Sequence, residues 1–431
     1  MDARENIHIL AKDIARGKVR IIEPGKDYIP PSGKVVDGDD LALMIDSVLD
    51  VHFTEGRFAE AFVGEFTKYA GPRYCTLVNS GSSANLLALA ALTSPSLKKR
   101  ALKPGDEVIT VACGFPTTIN PIIQLGCIPV FVDVDVGTYQ AKVDEVLDAI
   151  NSKTKAVIIA HTLGNVFDVE SIAKACKEKG IWLIEDCCDA LGAEVNGKKV
   201  GNFGHMMTTS FYPAHHITMG EGGAVLTNSP ALKSLLLSFR DWGRDCWCPT
   251  GKDDTCGKRF DQQFEDLPHG YDHKYVYSHM GYNLKITDMQ AALGLGQLAK
   301  LPSFVEARRK NFQVLRESLL ELEDELILPI EAADTRPSWF GFPLSLRTDK
   351  FERLDIVRFL ESMKIGTRLI FGGNLLRHPL YKGQNYRVHR DLANTDFVMN
   401  KSFWVGVYPG LDSRHMCYIA DNIRNFLRGA K

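Results

Sequence analysis

Four cysteines are spaced as a ligand set: Cys246 and Cys248 flank Trp247, Cys256 follows after residues 249–255, and Cys188 lies upstream across residues 189–245. Four thiolates bind either zinc or an iron-sulfur cluster, and the C-x-C pair departs from the C-x2-C of zinc ribbons. Unligated thiols are the third reading at this point. Cys188 also belongs to Glu185-Asp186-Cys187-Cys188-Asp189, which ends an apolar run, IWLIEDCC. Open α/β sheets bind ligands at such strand ends, and a carboxylate there either holds a ring N–H or caps the next helix. Two adjacent histidines, His215 and His216, follow Ser210-Phe211-Tyr212. Imidazole takes and gives protons near neutral pH, although paired histidines at a strand end can also be satisfied polar groups. The turn Asn79-Ser80-Gly81-Ser82-Ser83 opens the run LLALAAL. Free backbone N–H groups and the dipole at a helix start suit a phosphate, and the same serines make an ordinary cap.

Such groups act together only if a scaffold brings them together. From about residue 60, short β-branched runs (EVITVAC, IPVFVDVD, AVIIAHTLG, IWLIEDCC, MMTTSFYP, GGAVLTN) alternate with helical stretches such as 143–150 and Val169–Lys179. Continuous apolar runs are strands buried on both faces, and their alternation with helices predicts an α/β fold in which helices sandwich a mixed, mostly parallel sheet. Residues 1–50 read as an N-terminal helical segment interrupted by the Pro/Gly-rich IIEPGKDYIPPSGKVV, with its second helix at 40–49. Residues 51–300 read as the large domain, and 301–431, with GFPLSL and GTRLIF between helices, as a smaller C-terminal α+β domain. Within the large domain, the irregular segment 240–282 carries three cysteines, and loops of that length are usually functional or disordered.

With 51 basic against 53 acidic side chains the formal net charge is −2, which leaves no field to hold nucleic acid or an anionic membrane. No apolar stretch reaches the roughly 18 residues of a membrane span. The N-terminal MDARENIHILAKDIARGK has no apolar export core, so a cytoplasmic protein is expected. In that compartment cysteines stay free, metal-bound or catalytic. Cys75, Cys113, Cys127, Cys176, Cys187 and Cys417 read as small core residues.

In this order the glycine-serine turn, the Glu-Asp strand end and the Ser-Phe segment resemble the sugar aminotransferase family of pyridoxal-phosphate enzymes, the fold type I group acting on nucleotide-linked keto-sugars. GFPTTIN (114–120), AHTLGN (160–165) and GYNLKITDMQAALGLGQL (281–298) extend the resemblance over nearly the whole chain. It implies that Gly81, Ser82, Ser83 and Ser210 hold a cofactor phosphate, that Asp186 binds the pyridine nitrogen and that Phe115 stacks on the ring. It also implies a homodimer in which Asn283 reaches the cofactor phosphate of the neighbouring subunit. By the same resemblance Asp189 and Tyr212 fall at the cofactor-side positions where the family usually has Gln or His and His or Asn.

One position departs from the family's chemistry. A transaminase needs a lysine after the Ser-Phe segment, because only an amine can hold the cofactor aldehyde as a Schiff base, and here that residue is His215. Histidine for lysine, together with the cysteine spacing and the flanks RDWGRDCWC, GKRF and GYDHKYVYSH, is similar to the sugar 3-dehydrases of 3,6-dideoxyhexose pathways. That resemblance implies pyridoxamine 5'-phosphate, a [2Fe-2S] cluster on Cys188, Cys246, Cys248 and Cys256, and His215 as the proton-transferring residue. It implies a nucleotide-linked 4-keto-6-deoxyhexose as substrate, with CDP as the nucleotide and dTDP next, and electrons from a separate NADH-dependent flavin and iron-sulfur reductase. Three rivals remain: a plain aminotransferase using Lys258 or Lys285, a cluster-free 3-dehydratase like those acting on GDP-sugars, and a catalytically silent cofactor-binding protein.

Overall fold

The computed structural model describes residues 3–18, 21–248 and 252–429. Its centre is an eight-stranded sheet in the order Tyr74–Val78, Gly223–Thr227, Met206–Ser210, Trp182–Asp186, Thr154–Ala160, Glu107–Val111, Ile128–Val132 and Arg387–Val388. Gly223–Thr227 runs antiparallel to both its neighbours and the remaining pairings are parallel, as the expected α/β fold requires. The apolar runs fill both faces because successive side chains point to opposite sides of a strand. Val157 and Ile159 enter one hydrophobic cluster, while Ala156 and Ile158 enter the other. Helix Arg57–Ala70 packs Phe62 and Phe66 into the first, and helix Gly81–Ala91 packs Leu87 and Leu89 into the second. Helix Val169–Lys179 starts where the Asp168 carboxylate accepts the Ser171 N–H and stops at Gly180, whose left-handed backbone would strain a side chain.

A second unit has a four-stranded antiparallel sheet, Leu326–Ile327, Gly341–Leu346, Ser402–Gly406 and Thr367–Arg368. With helices Arg353–Ser362 and Ser413–Arg428 it forms its own core around Leu344, Ile356, Val405 and Ile419. The 32-residue helix Asp288–Leu319 passes through residues 300–301 and gives Leu301 to the large core and Leu315 to the small one. The N-terminal segment has two helices, Ala3–Arg16 and Gly38–Leu49, and its connection tucks Ile29 into the small core.

Some expectations are corrected. GTRLIF yields only the two-residue strand Thr367–Arg368, and Arg387–Val388 joins the edge of the large sheet from the C-terminal third of the chain. Cys113, Cys127, Cys176 and Cys187 are buried and Cys75 is partly buried, but Cys417 is exposed. Met416, Ile419, Ile423 and Leu427 supply the buried stripe of helix Ser413–Arg428 and leave Cys417 off it. No described helix is long and apolar enough to cross a membrane.

Candidate active site

Parallel strands end on one edge of the sheet, and the segments carrying the chemistry follow those ends. Asp186 closes Trp182–Asp186 and is 3% exposed. One of its oxygens accepts from Asn85 Nδ2 (2.9 Å) and Thr118 Oγ1 (2.7 Å), and the other from the Cys188 N–H (3.1 Å). The Thr208 hydroxyl donates to Asn85 Oδ1 at 2.6 Å, which aims the Asn85 amide at the carboxylate. An ionised carboxylate offers about four acceptor positions; the one left free here suits a ring N–H.

Beside it, Ser80 caps helix Gly81–Ala91 by accepting the Ser83 N–H at 3.0 Å, and the Ser82 hydroxyl donates to Thr117 at 2.8 Å. First-turn N–H groups at Gly81 and Ser82 have no intrahelical acceptor. A Cβ on Gly81 would stand 2.5 Å from Ser210 Cβ, 2.9 Å from Ser210 Oγ and 3.1 Å from Cys188 Sγ. Glycine therefore lets the turn, the end of strand Met206–Ser210 and Cys188 close into one concavity. Backbone N–H groups, serine hydroxyls and a helix dipole converge there, and that chemistry fits a phosphate.

His215 lies in the turn after Ser210, its N–H donating to the Tyr212 carbonyl at 2.9 Å. The half-buried ring packs 5.2 Å from Phe340, and its buried Nδ1 has no hydrogen-bond partner and lies 3.5 Å from Asp189 Oδ1. Burial lowers the imidazole pKa to about 4, and the Arg308 cation adds to this while Asp186 and the Cys188 backbone oppose it. Asp189 is pushed up to about 7 by burial and by the charge of Asp186, against the Leu163 N–H and Arg308. A neutral imidazole with a free nitrogen can accept a proton. Arg308, buried on helix Asp288–Leu319, donates to the carbonyls of Trp339 (3.3 Å), Phe340 (3.1 Å) and His215 (3.3 Å). It thereby ties the histidine turn to the second unit.

Phe115 is 49% exposed, 6.2 Å from Phe371, and Tyr212 is 50% exposed, so both leave an aromatic face open at this edge. Asn283 stands apart. It is exposed at the base of the 240–282 loop, bridges Asp241 and accepts from Lys285 Nζ at 3.1 Å. Lys285 also lies 3.6 Å over the Trp242 ring, and Lys258 is exposed within the loop.

Cys246, Cys248 and Cys256 line one small cavity with Asp253, Arg259, His273 and Lys274. The Cys248 thiol is pulled down to about 7 by its hydrogen bond with Thr255, helped by the Cys256 backbone. The thiolate it favours is the form that binds metal. Burial pushes the neighbouring Cys246 thiol up, so the three thiols share one cavity with Cys248 the readiest to ionise. Cys188 does not line that cavity; its Sγ stands at the phosphate cradle.

The model of the DegT/DnrJ/EryC1/StrS aminotransferase family matches residues 37–424. The chain belongs to that family. It is 54% identical to the lipopolysaccharide biosynthesis protein RfbH of Salmonella typhimurium, covering 93% of this chain and 92% of that one. It is 50% identical to the dTDP-4-dehydro-2,6-dideoxy-D-glucose 3-dehydratase of Saccharopolyspora spinosa, covering 99% and 92%. Among solved structures, the Escherichia coli GDP-4-keto-6-deoxy-D-mannose-3-dehydratase with bound hydrated PLP superposes with a TM-score of 0.82 at 30% identity, over 94% of this chain and all of that one.

In this DegT/DnrJ/EryC1/StrS chain the residues that sequence reasoning missed are the supports: Asn85, Thr118, Thr208, Arg308 and Glu185. Glu185 is fully buried and accepts the N–H groups of Gly201 (2.7 Å), Phe203 (2.8 Å) and Gly204 (2.6 Å), fixing the strand end that bears Asp186. His161 and Cys187 lie beside it within metal-ligand reach, but the carboxylate is already saturated by the turn.

Proposed function

We propose that this protein is a nucleotide-sugar 3-dehydrase. With pyridoxamine phosphate and a [2Fe-2S] cluster it replaces the C3 hydroxyl of a nucleotide-linked 4-keto-6-deoxyhexose by hydrogen. The C3–O bond breaks, the hydroxyl leaves as water with one proton, and two electrons and a second proton complete C3. A separate NADH-dependent flavin and iron-sulfur reductase delivers the electrons singly. The observation that carries the reading is His215, which stands at the cofactor edge in the place of the Schiff-base lysine, with Nδ1 free and Lys258 and Lys285 positioned elsewhere. The names of the Saccharopolyspora and Escherichia coli relatives support a 3-dehydratase.

When bound, pyridoxamine phosphate supplies an amine that captures the ketone and an electron sink for the neighbouring carbon. The N–H groups of Gly81 and Ser82, with the hydroxyls of Ser82, Ser83 and Ser210, hold the phosphate. Asp186 accepts the ring N–H, Phe115 covers the ring, and Asp189 and Tyr212 border it. His215 takes the proton, and Arg308 keeps its turn in place. The molecule works as a homodimer, with Asn283 turned toward the neighbouring cradle, and a cytoplasmic location follows from the substrate class. The nucleotide is a pyrimidine: the cysteine pattern favours CDP, and the Saccharopolyspora relative favours dTDP.

The test is a visible spectrum of anaerobically purified protein with iron and acid-labile sulfide assays, followed by turnover of CDP- and dTDP-linked 4-keto-6-deoxyhexoses with a reductase. Two irons and two sulfides per subunit and reductase-dependent loss of the C3 hydroxyl are expected. Zinc or no metal would support the cluster-free dehydratase instead. Full activity of His215→Lys would overturn the role given to His215.

A further inference from the structure

We infer that the four-thiol centre is built across two copies of this chain: Cys246, Cys248 and Cys256 of one subunit meet the partner subunit's Cys188. The inference rests on the iron-sulfur reading proposed above and gives that centre its geometry.

Within one chain the thiols lie at opposite ends of a helix. Cys188 Sγ stands beside Gly81, at the N-terminal end of Gly81–Ala91. The cysteine loop is pinned near the other end, where Ser94 Oγ and Ser238 Oγ each lie 2.8 Å from a ring nitrogen of His279. Pro95 and Ser96 line one groove with Cys246 and Trp247. A helix of 11 residues rises about 16 Å. Metal–thiolate bonds are about 2.3 Å long, so the four ligands of one small cluster must lie within several ångström of one another.

Neither end is free to travel. The Cys188 N–H donates to Asp186, and the adjoining Cys187 N–H donates to Thr208 O at 2.9 Å inside the sheet. Next to Cys246, the Asp245 N–H donates to Val276 O at 2.9 Å, and Asp245 Oδ2 lies 2.8 Å from His273 Nε2.

A second copy supplies what the chain cannot. In an isologous dimer each patch meets its own copy. Elements that lie across a two-fold axis perpendicular to them run in opposite directions, and a dimer of that kind brings the far end of one cysteine loop to the cradle end of the other. The loop has a surface for this contact: Trp247, Phe260, Tyr275, Tyr277 and Met280 are exposed, Met280 at 95%. Exposed aromatic and methionine side chains gathered on one loop suit a protein interface. Leu284 at the loop base accepts the Asn79 N–H at 2.8 Å, so a copy seated on the base also covers the turn before the cradle, beside which the partly exposed Cys188 waits.

Complementation tests the arrangement. A Cys188→Ser chain and a Cys246→Ser/Cys248→Ser/Cys256→Ser chain, each with its own tag, are co-expressed, and the mixed dimer is purified anaerobically. If the centre is shared, the mixed dimer retains one intact site and holds half the iron, sulfide and visible absorbance of the wild-type dimer, while either variant alone holds none. A mixed dimer without iron beside a wild-type dimer with two clusters means that each subunit closes its own cluster, and the inference fails although the proposed function stands. A wild-type protein without iron overturns both. As a second measurement, a chain retaining Cys188 and Cys248 with the other eight cysteines replaced by serine is oxidised with diamide. A covalent dimer on a non-reducing gel is expected, and a monomer with an internal bond would overturn the arrangement.

Discussion

A carboxylate that is to hold a ring N–H has to be aimed, and Asp186 is fixed by donors from three separate parts of the chain, Asn85, Thr118 and Cys188. Asp186→Ala leaves those donors facing each other without an acceptor, at about 1–3 kcal/mol for each buried group left unpaired. The expected result is a lower melting temperature and at least a hundredfold loss of pyridoxamine phosphate affinity in equilibrium dialysis. Thr208→Val removes only the bond that orients Asn85, worth about 1 kcal/mol, and is expected to weaken retention several-fold; wild-type behaviour in both variants would refute the network. Asp186, Gly81 and His215 stand out in the sequence because the chemistry expected of them restricts the residue type. Asn85, Thr118 and Thr208 were not, because they are ordinary polar residues that only the sheet brings together. Arg308 was hidden for a related reason: it binds three carbonyls, and carbonyls leave no mark in a sequence.

The same sheet is a stability element with a pH dependence of its own. His205 precedes strand Met206–Ser210, and its Nδ1 accepts the Leu183 N–H at 3.0 Å, a bond that needs the neutral ring. Burial, and then the Arg100 cation, lower its pKa to about 4. The unfolded ring titrates near 6.5, so below that pH the unfolded chain takes up a proton that the folded chain refuses. The contribution is therefore complete above about pH 6.5 and lost as pH falls toward 4, roughly 2 kcal/mol after allowance for partial exposure. His205→Asn keeps an acceptor oxygen near the place of Nδ1 and should flatten denaturant midpoints between pH 7 and 5; an unchanged slope would remove His205 as the cause. At the helix before the cradle, Gly81→Ala forces a methyl within 2.5 Å of Ser210 Cβ. Overpacking of this kind costs about 1–3 kcal/mol, and cofactor retention should fall at least tenfold. The apolar runs made most of this sheet readable. Gly223–Thr227 hid its antiparallel direction, because a strand buried on both faces looks the same either way. Arg387–Val388, two residues long, has no pattern to read.

For the whole molecule, the sequence presented four thiols as one set, whereas the fold gathers three and holds Cys188 at the cradle. No spacing rule would show a centre completed by another chain, because symmetry leaves no signature in a single sequence. The exposed face of the 240–282 loop carries the test. Met280, at 95% exposure, makes little contact within its own chain, so Met280→Glu should leave the thermal unfolding of an isolated subunit within about 0.5 kcal/mol of wild type. A carboxylate buried against an apolar partner face costs several kcal/mol unless it is paired. Sedimentation of Met280→Glu at micromolar concentration is therefore expected to shift from dimer to monomer, with iron content and activity falling together. A Met280→Leu control should retain both. If Met280→Glu stays dimeric and keeps its iron, the loop is not at the two-fold interface, and the exposed aromatic face is left for a different partner.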